Sequence, residues 1–191
     1  MDRLTLGKCL RHFKKIIIHK YWVFYYCCFA RLYWRGIKHD LSKFSPVEFF
    51  ESARYYKGDR SPIEEIKRQW GYSRAWLHHR SRNSHHYEMW TDNYDLGVTT
   101  IRMPYSDALE LICDFLGAGR AYYGKSFTMK KELEYWENRK KTFPNMKIHP
   151  DTKDFIDKML NRLYEDGTAY CLETSVSYSI YLDCLNHNVV V

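Results

Sequence analysis

Residues 37–50, IKHDLSKFSPVEFF, place an adjacent histidine and aspartate, His39 and Asp40, behind a short apolar lead, with Lys43 three residues on. The second half carries a helix-start signal: Ser45 suits the N-cap, Pro46 the first helical position and Glu48 the third. The stretch predicts a short helix through IKHDL, a turn, and a further helix over FSPVEFFESARYY. The same signal recurs at Ser61-Pro62 with Glu64, after the loop KGDRSP, and predicts a helix through Trp70.

Helical periodicity extends in both directions. Upstream, a helix is expected from about Leu6 to Trp34, ending at Gly36, a residue type that suits a helix C-terminus. Downstream, Pro104 precedes YSDALELICDFLGAGRAYYG, in which Leu109, Ile112, Phe115 and Leu116 recur at helical spacing. MKKELEYWENRKKTF reads as another helix, and DTKDFIDKMLNRLYEDG as one opened by Pro150 and closed by Gly167. The last stretch fits helix or irregular structure equally, and no segment reads as a strand ladder. The expectation is an all-α fold, with residues 1–167 as one helical domain and 168–191 as a tail or an added helix of it.

Composition narrows the class. At 191 residues, with 45% hydrophobic and 28% charged side chains, the chain can bury one substantial core and does not resemble a disordered segment. The six cysteines form no CxxC pair and sit mainly in apolar stretches, as buried free thiols of a reducing cytoplasm would. The apolar run near the N-terminus is broken by His19 and Lys20. Tyr21 to Ala30 is then the longest clean stretch, too short to cross a bilayer, so no membrane partner is expected and that helix reads as buried. The six tryptophans read as core. A net charge of +7 is compatible with nucleic acid, but basic residues appear scattered among acids without a recognisable motif, and a small phosphorylated substrate accounts for it equally well.

Residues 76–90, WLHHRSRNSHHYEMW, hold four of the nine histidines between two tryptophans. Read as one helix from about Ser73 to Trp90, they place Trp76, His79, Asn83, His86 and Trp90 on one face, and His78 and His85 on a second, rotated by about 100°. His79 and His86 would then be about 10.5 Å apart along the backbone, suited to neighbouring metals or to one metal completed by other helices. Taken alone, such histidines are more simply explained as hydrogen-bonded core or solvent-facing groups, because a metal site requires ligands from elsewhere. Candidates exist in His39 and Asp40, in His19 on the aromatic N-terminal helix, and in Asp107, Glu110 and Asp114 at i, i+3 and i+7. Asp107 reads as a helix-start cap and Glu110 as solvent-exposed. Asp114, flanked by Ile112, Cys113, Phe115 and Leu116, is costly to bury without a cation.

The ordered set, His19 with Val23 four residues on, the element apolar-H-D-hydrophobic-x-K-F, later histidines, then an aspartate on an apolar helix, resembles the HD-domain superfamily of metal-dependent phosphohydrolases. HDLSKFSPVEF, W-x-H-H-x-x-x-N-x-H-H and E-L-I-C-D are most similar to an uncharacterised bacterial group of HD-like proteins, and the resemblance spans about residues 10 to 160. It implies an HD-like helical bundle with a metal site in its core. His19, His39, Asp40 and Asp114 would bind a first metal, and Asp40 would bridge to a second held by His79 with His86 or His85. Lys43 matches a lysine that in related families lies near a substrate phosphate. Two departures, the shorter spacing from His79 to His86 and Ser42 where glycine is usual, keep metal number and substrate class from carrying over.

The implied cofactor is one or two divalent transition ions (Mn, Fe, Zn, Ni or Co), which would activate water to attack a phosphoester such as a nucleotide. Asp40, Lys43 and Asn83 are the candidate catalytic residues, with Asn83 orienting a ligand or a water. Arg74, Arg80 and Arg82 are candidate phosphate contacts, though plain surface charge explains any one of them more simply. The same shell also suits a di-iron oxygenase acting on a small polar substrate, or a non-catalytic binding protein in which the metal is structural. A homo-oligomer is compatible with all of these.

Overall fold

The Thr5 hydroxyl accepts the backbone N–H of Lys8 and so starts α1 (Leu6–Phe29), whose inner face buries His12, Ile16, His19, Val23, Tyr26 and Cys27 at three- and four-residue steps. The computed structural model describes residues 3–185, and the architecture built on α1 is mostly helical. The remaining helices are α2 (Tyr33–Lys38), α3 (Pro46–Tyr55), α4 (Pro62–Trp70), α5 (Arg74–Arg80), α6 (Tyr105–Tyr123), α7 (Met129–Thr142), α8 (Pro150–Asp166) and α9 (Thr174–Asp183). Strand pairing among the described residues is confined to the two-residue antiparallel partners Thr91–Asp92 and Thr99–Thr100 and a bridge from Asp95 to Gly97. No helix among the described residues is long and apolar enough to cross a membrane.

α6 is the central element. It packs along α1 on one side and against α7, α8 and α9 on another, and its Leu109, Leu111, Ile112, Cys113 and Leu116 are buried almost completely. Trp136, Phe155, Ile156 and Met159 close the core from α7 and α8. α9 is tied back where the Tyr181 hydroxyl donates to the Met103 carbonyl. Residues 186–191 of the expected C-terminal tail lie outside the described residues.

Several boundaries differ from the sequence expectation, each for a local reason. The first helix ends at Phe29 and not near Trp34, because Arg31 takes a left-handed conformation (φ 56°). Gly36 lies inside α2, where a Cβ would come within 2.8 Å of the Cys27 side chain, so its role is close approach of α2 to α1. IKHDL is not helical throughout: α2 stops at Lys38, His39 leaves the helical region (φ −48°, ψ 126°) and Asp40 is left-handed at φ 55°. The expected helix from Ser73 to Trp90 ends at Arg80. Beyond it the chain turns, with the Asn83 amide donating to the His79 carbonyl and the Ser81 hydroxyl to that of His78, side-chain bonds that compete with helix continuation. Of the tryptophans only Trp136 is fully buried, whereas Trp34 and Trp70 are exposed. α1 is buried on its inner face alone.

The seam between α1 and α6 also fixes the site. A Cβ on Gly117 would fall 2.4 Å from the Val23 side chain and 2.9 Å from its backbone nitrogen. One turn away on both helices, His19 faces Asp114. Gly117→Ala is therefore expected to force the helices apart and lower stability by about 1–3 kcal/mol, measured by chemical denaturation.

Candidate metal centre

Three breaks in helical structure bring the candidate side chains together. α1 presents His19 from its buried face, α6 presents Glu110 and Asp114, and the left-handed backbone at Asp40 turns its carboxylate inward beside His39. A 3₁₀ turn, Leu41–Phe44, then places Lys43 at the rim, with just under a third of its side chain exposed. The bend after α5 folds His85 and His86 back over His79, so the rings of His79 and His86 are 4.8 Å apart and those of His85 and His86 4.2 Å. Both members of the 85–86 pair thus reach the cluster, which a continuous helix would have prevented.

Asp40 is at the centre, with no exposed surface. Its Oδ2 lies 3.3 Å from His19 Nε2 and 3.2 Å from His39 Nε2, while Asp114 Oδ1 lies 3.1 and 3.3 Å from the same two nitrogens. Its Oδ1 faces the opposite way, 3.2 Å from His79 Nε2 and 3.5 Å from His85 Nε2, and His86 Nε2 is 2.8 Å from His79 Nε2. Three donor groups result, His19–His39–Asp40–Asp114, Asp40–His79–His85–His86 and His39–His85–Glu110, each with ligand atoms within 4.8 Å of one another, and the first two contain Asp40. Asp40 offers one oxygen to each of those two.

A second layer of carboxylates aims the imidazoles. Glu110 Oε1 lies 2.8 Å from His39 Nδ1 and 3.3 Å from His85 Nδ1. Glu48 Oε2 lies 2.8 Å from His79 Nδ1, and its Oε1 2.6 Å from His78 Nδ1. With Nδ1 held by a carboxylate, each of His39, His79 and His85 turns Nε2 toward Asp40, the arrangement that orients metal-binding histidines. Arg35 pairs with Glu110 (2.6 Å) and Asp107, and the Ser84 hydroxyl also donates to Asp107. Asp107 and Glu110 are consequently buried partners of Arg35, not a simple cap and an exposed acid.

The donor chemistry fits a divalent transition ion. His39 Nε2, Asp40 Oδ1 and His85 Nε2 are buried without a hydrogen-bond partner among the described residues, although each faces the cluster. Burial pushes the Asp40 carboxyl up, but His39, Lys43 and His79 outweigh it and hold Asp40 well below the usual carboxylate range. Burial likewise acts against ionisation of Asp114, and the His19 and His39 imidazoles beside it outweigh that and hold it well below the usual carboxylate range. Burial, with His85 and His79 beside it, keeps His86 well below the ordinary imidazole value, hence neutral and ready to donate a lone pair. The His/carboxylate set without thiolate suits Mn, Fe, Zn, Co or Ni.

Asn83 sits behind the cluster, its amide donating to Ser42 Oγ (2.9 Å) and to the His79 carbonyl (2.7 Å), so it pins the Lys43 turn to the end of α5. Arg82 bonds back to the His78 carbonyl, and Arg74 lines a separate groove with Phe50, Trp70 and Tyr72. Sequence reasoning missed Glu48 as an orienting group, reading it only as a cap position, and had no signal for Arg35. It also missed Glu132 on α7, whose carboxyl is pushed up to about 8 by burial, with Asp114 adding to the effect.

Glu48→Gln and Glu110→Gln are each expected to reduce affinity for Mn or Zn by about 10–100-fold, measured by isothermal titration of the folded variants, because the imidazoles lose their fixed orientation.

Residues 8–162 match a family model described as a family of unknown function, DUF5662. No curated protein and no solved structure matches the chain. Since the family match takes in most of its length, this chain belongs to the DUF5662 family.

Proposed function

We propose that the protein is an HD-like metal-dependent hydrolase that cleaves a small phosphoester such as a nucleotide. The observation that carries this reading is the Asp40 carboxylate, one oxygen toward each of its two donor groups, with the Lys43 ammonium 2.5 Å from it at the solvent-facing rim. His19, His39, Asp40 and Asp114 would hold one ion, and His79, His85 and His86 with Asp40 a second. Ions bound there would lower the pKa of a bound water toward neutrality and offset charge on a phosphoryl group.

The protein's own groups supply the rest. Burial lowers the Lys43 pKa, but Asp40 and Asp114 outweigh it and keep the ammonium charged. Its side chain is 31% exposed, so it reaches both Asp40 and an arriving anion and can hold a phosphate oxygen by a charge-assisted bond. Asn83 acts through Ser42, fixing the turn from which Lys43 projects. Glu48 and Glu110 hold the His79, His39 and His85 rings turned toward Asp40.

Assay of the metal-loaded protein against phosphomonoesters, phosphodiesters and nucleotides tests the proposal. Hydrolysis of one class is expected, and Lys43→Ala is expected to retain metal while kcat/KM falls by on the order of 100-fold. Oxygen uptake by the iron-loaded protein without phosphoester cleavage would favour oxidation at the same centre.

A further inference from the structure

The outer face of α1 is apolar and exposed. Leu6, Leu10, Phe13, Ile17, Tyr21 and Phe24 form a stripe at three- and four-residue steps opposite the buried face. α2 and the following 3₁₀ turn extend it with Trp34, 74% exposed, and with Ile37, Leu41 and Phe44. The pieces form one surface: the Phe13 and Phe44 rings are 5.9 Å apart, Lys20 donates to the Ile37 carbonyl, and the α2 backbone at Gly36 lies against Phe24. These ten side chains are each between 36% and 76% exposed, a patch on the scale of one side of a standard protein interface, about 800 Å². Monomeric soluble domains rarely expose so large a continuous patch without a partner.

Charge identifies the partner. Basic and acidic residues are interspersed along most of the chain, yet from Arg3 to His39 there are nine Lys and Arg and no Asp or Glu. That segment carries +9 against +7 for the whole chain, so the rest is net acidic. Arg31 and Arg35 pair with acids elsewhere in the fold, whereas Arg11, Lys14 and Lys38 project from exposed positions. A second copy placed on this face would set basic flank against basic flank. An anionic lipid surface offers the opposite charge, and its apolar layer accommodates side chains of any shape.

We propose that the face formed by α1, α2 and the Leu41–Phe44 turn docks on an anionic membrane surface, with the apolar stripe entering the headgroup boundary and Arg11, Lys14 and Lys38 meeting the lipid phosphates. The absence of a spanning helix is no obstacle, because such docking lies in the plane of the interface. Lys43 belongs to the same turn as Leu41 and Phe44, so the mouth of the metal centre adjoins the docked face.

Flotation of the full chain with vesicles of phosphatidylcholine alone, or of phosphatidylcholine with phosphatidylglycerol, tests this directly. Binding is expected to the anionic vesicles only and to decline with added salt. Lys14→Glu with Lys38→Glu is expected to lower it by roughly tenfold or more, and Ile17→Ser with Trp34→Ser similarly. All four positions are exposed, and circular dichroism verifies that the variants remain folded. Three results would overturn the proposal. One is equal binding to neutral vesicles. Another is no vesicle binding with a sedimenting dimer that the serine variants dissociate, which would assign the face to a second copy. The last is no vesicle binding by a monomer, which would rule out both a lipid surface and a second copy as the occupant.

Discussion

A carboxylate with no exposed surface has to find positive charge or hydrogen-bond donors, and Asp40 takes them from two helices and two turns at once. Desolvation of such a group costs several kcal/mol, and only closely placed cationic or donor groups offset it. His19 from α1, Lys43 from the neighbouring turn, His79 from α5 and His85 from the bend after it supply that environment. Displacing any of these elements leaves Asp40 short of partners. The packing of α1 on α6 and the bend after α5 are thereby tied to one oxygen pair, and α3 joins through Glu48, which orients His79.

The cluster is layered. Innermost are imidazole Nε2 atoms and two aspartates, then Glu48 and Glu110 on the Nδ1 side, then Arg35 offsetting the charge of Glu110 and Asp107. Each layer fixes the rotamers of the one within it, which lets a cluster of like groups persist without collapsing onto itself. On its inner side, the seam where α6 packs along α1 is apolar and buried, which strengthens the interactions of the centre that face it.

Much of the helical framework was legible because its signals are local. Ser45-Pro46, Ser61-Pro62 and Pro150 mark the starts of α3, α4 and α8 where the residue chemistry says they should. The histidines, Asp40 and Asp114 stood out because carboxylates and imidazoles inside apolar segments need partners. What stayed hidden depends on competition between local and distant bonds. Ser81, Asn83 and Ser84 divert the backbone after Arg80, and a periodicity argument carried the helix through them. The left-handed turn at Asp40 has no glycine to announce it. Glu48 fits a helix-cap position equally well, and only the fold shows its carboxylate turned to His78 and His79. Glu110 lies in a stripe visible in sequence, but its burial depends on Arg35, far away in the chain.

Metal content is the readout of the proposed arrangement, in which Asp40 would join two donor groups that each hold a divalent ion. Plasma mass spectrometry on protein purified without chelator, wild type beside Asp40→Ala and Asp114→Ala, separates the two groups. Up to two equivalents of Mn, Fe, Zn, Co or Ni are expected in the wild type, loss of both in Asp40→Ala, and partial loss in Asp114→Ala. A folded wild-type protein that takes up no metal after incubation with each of these ions would contradict the proposed arrangement.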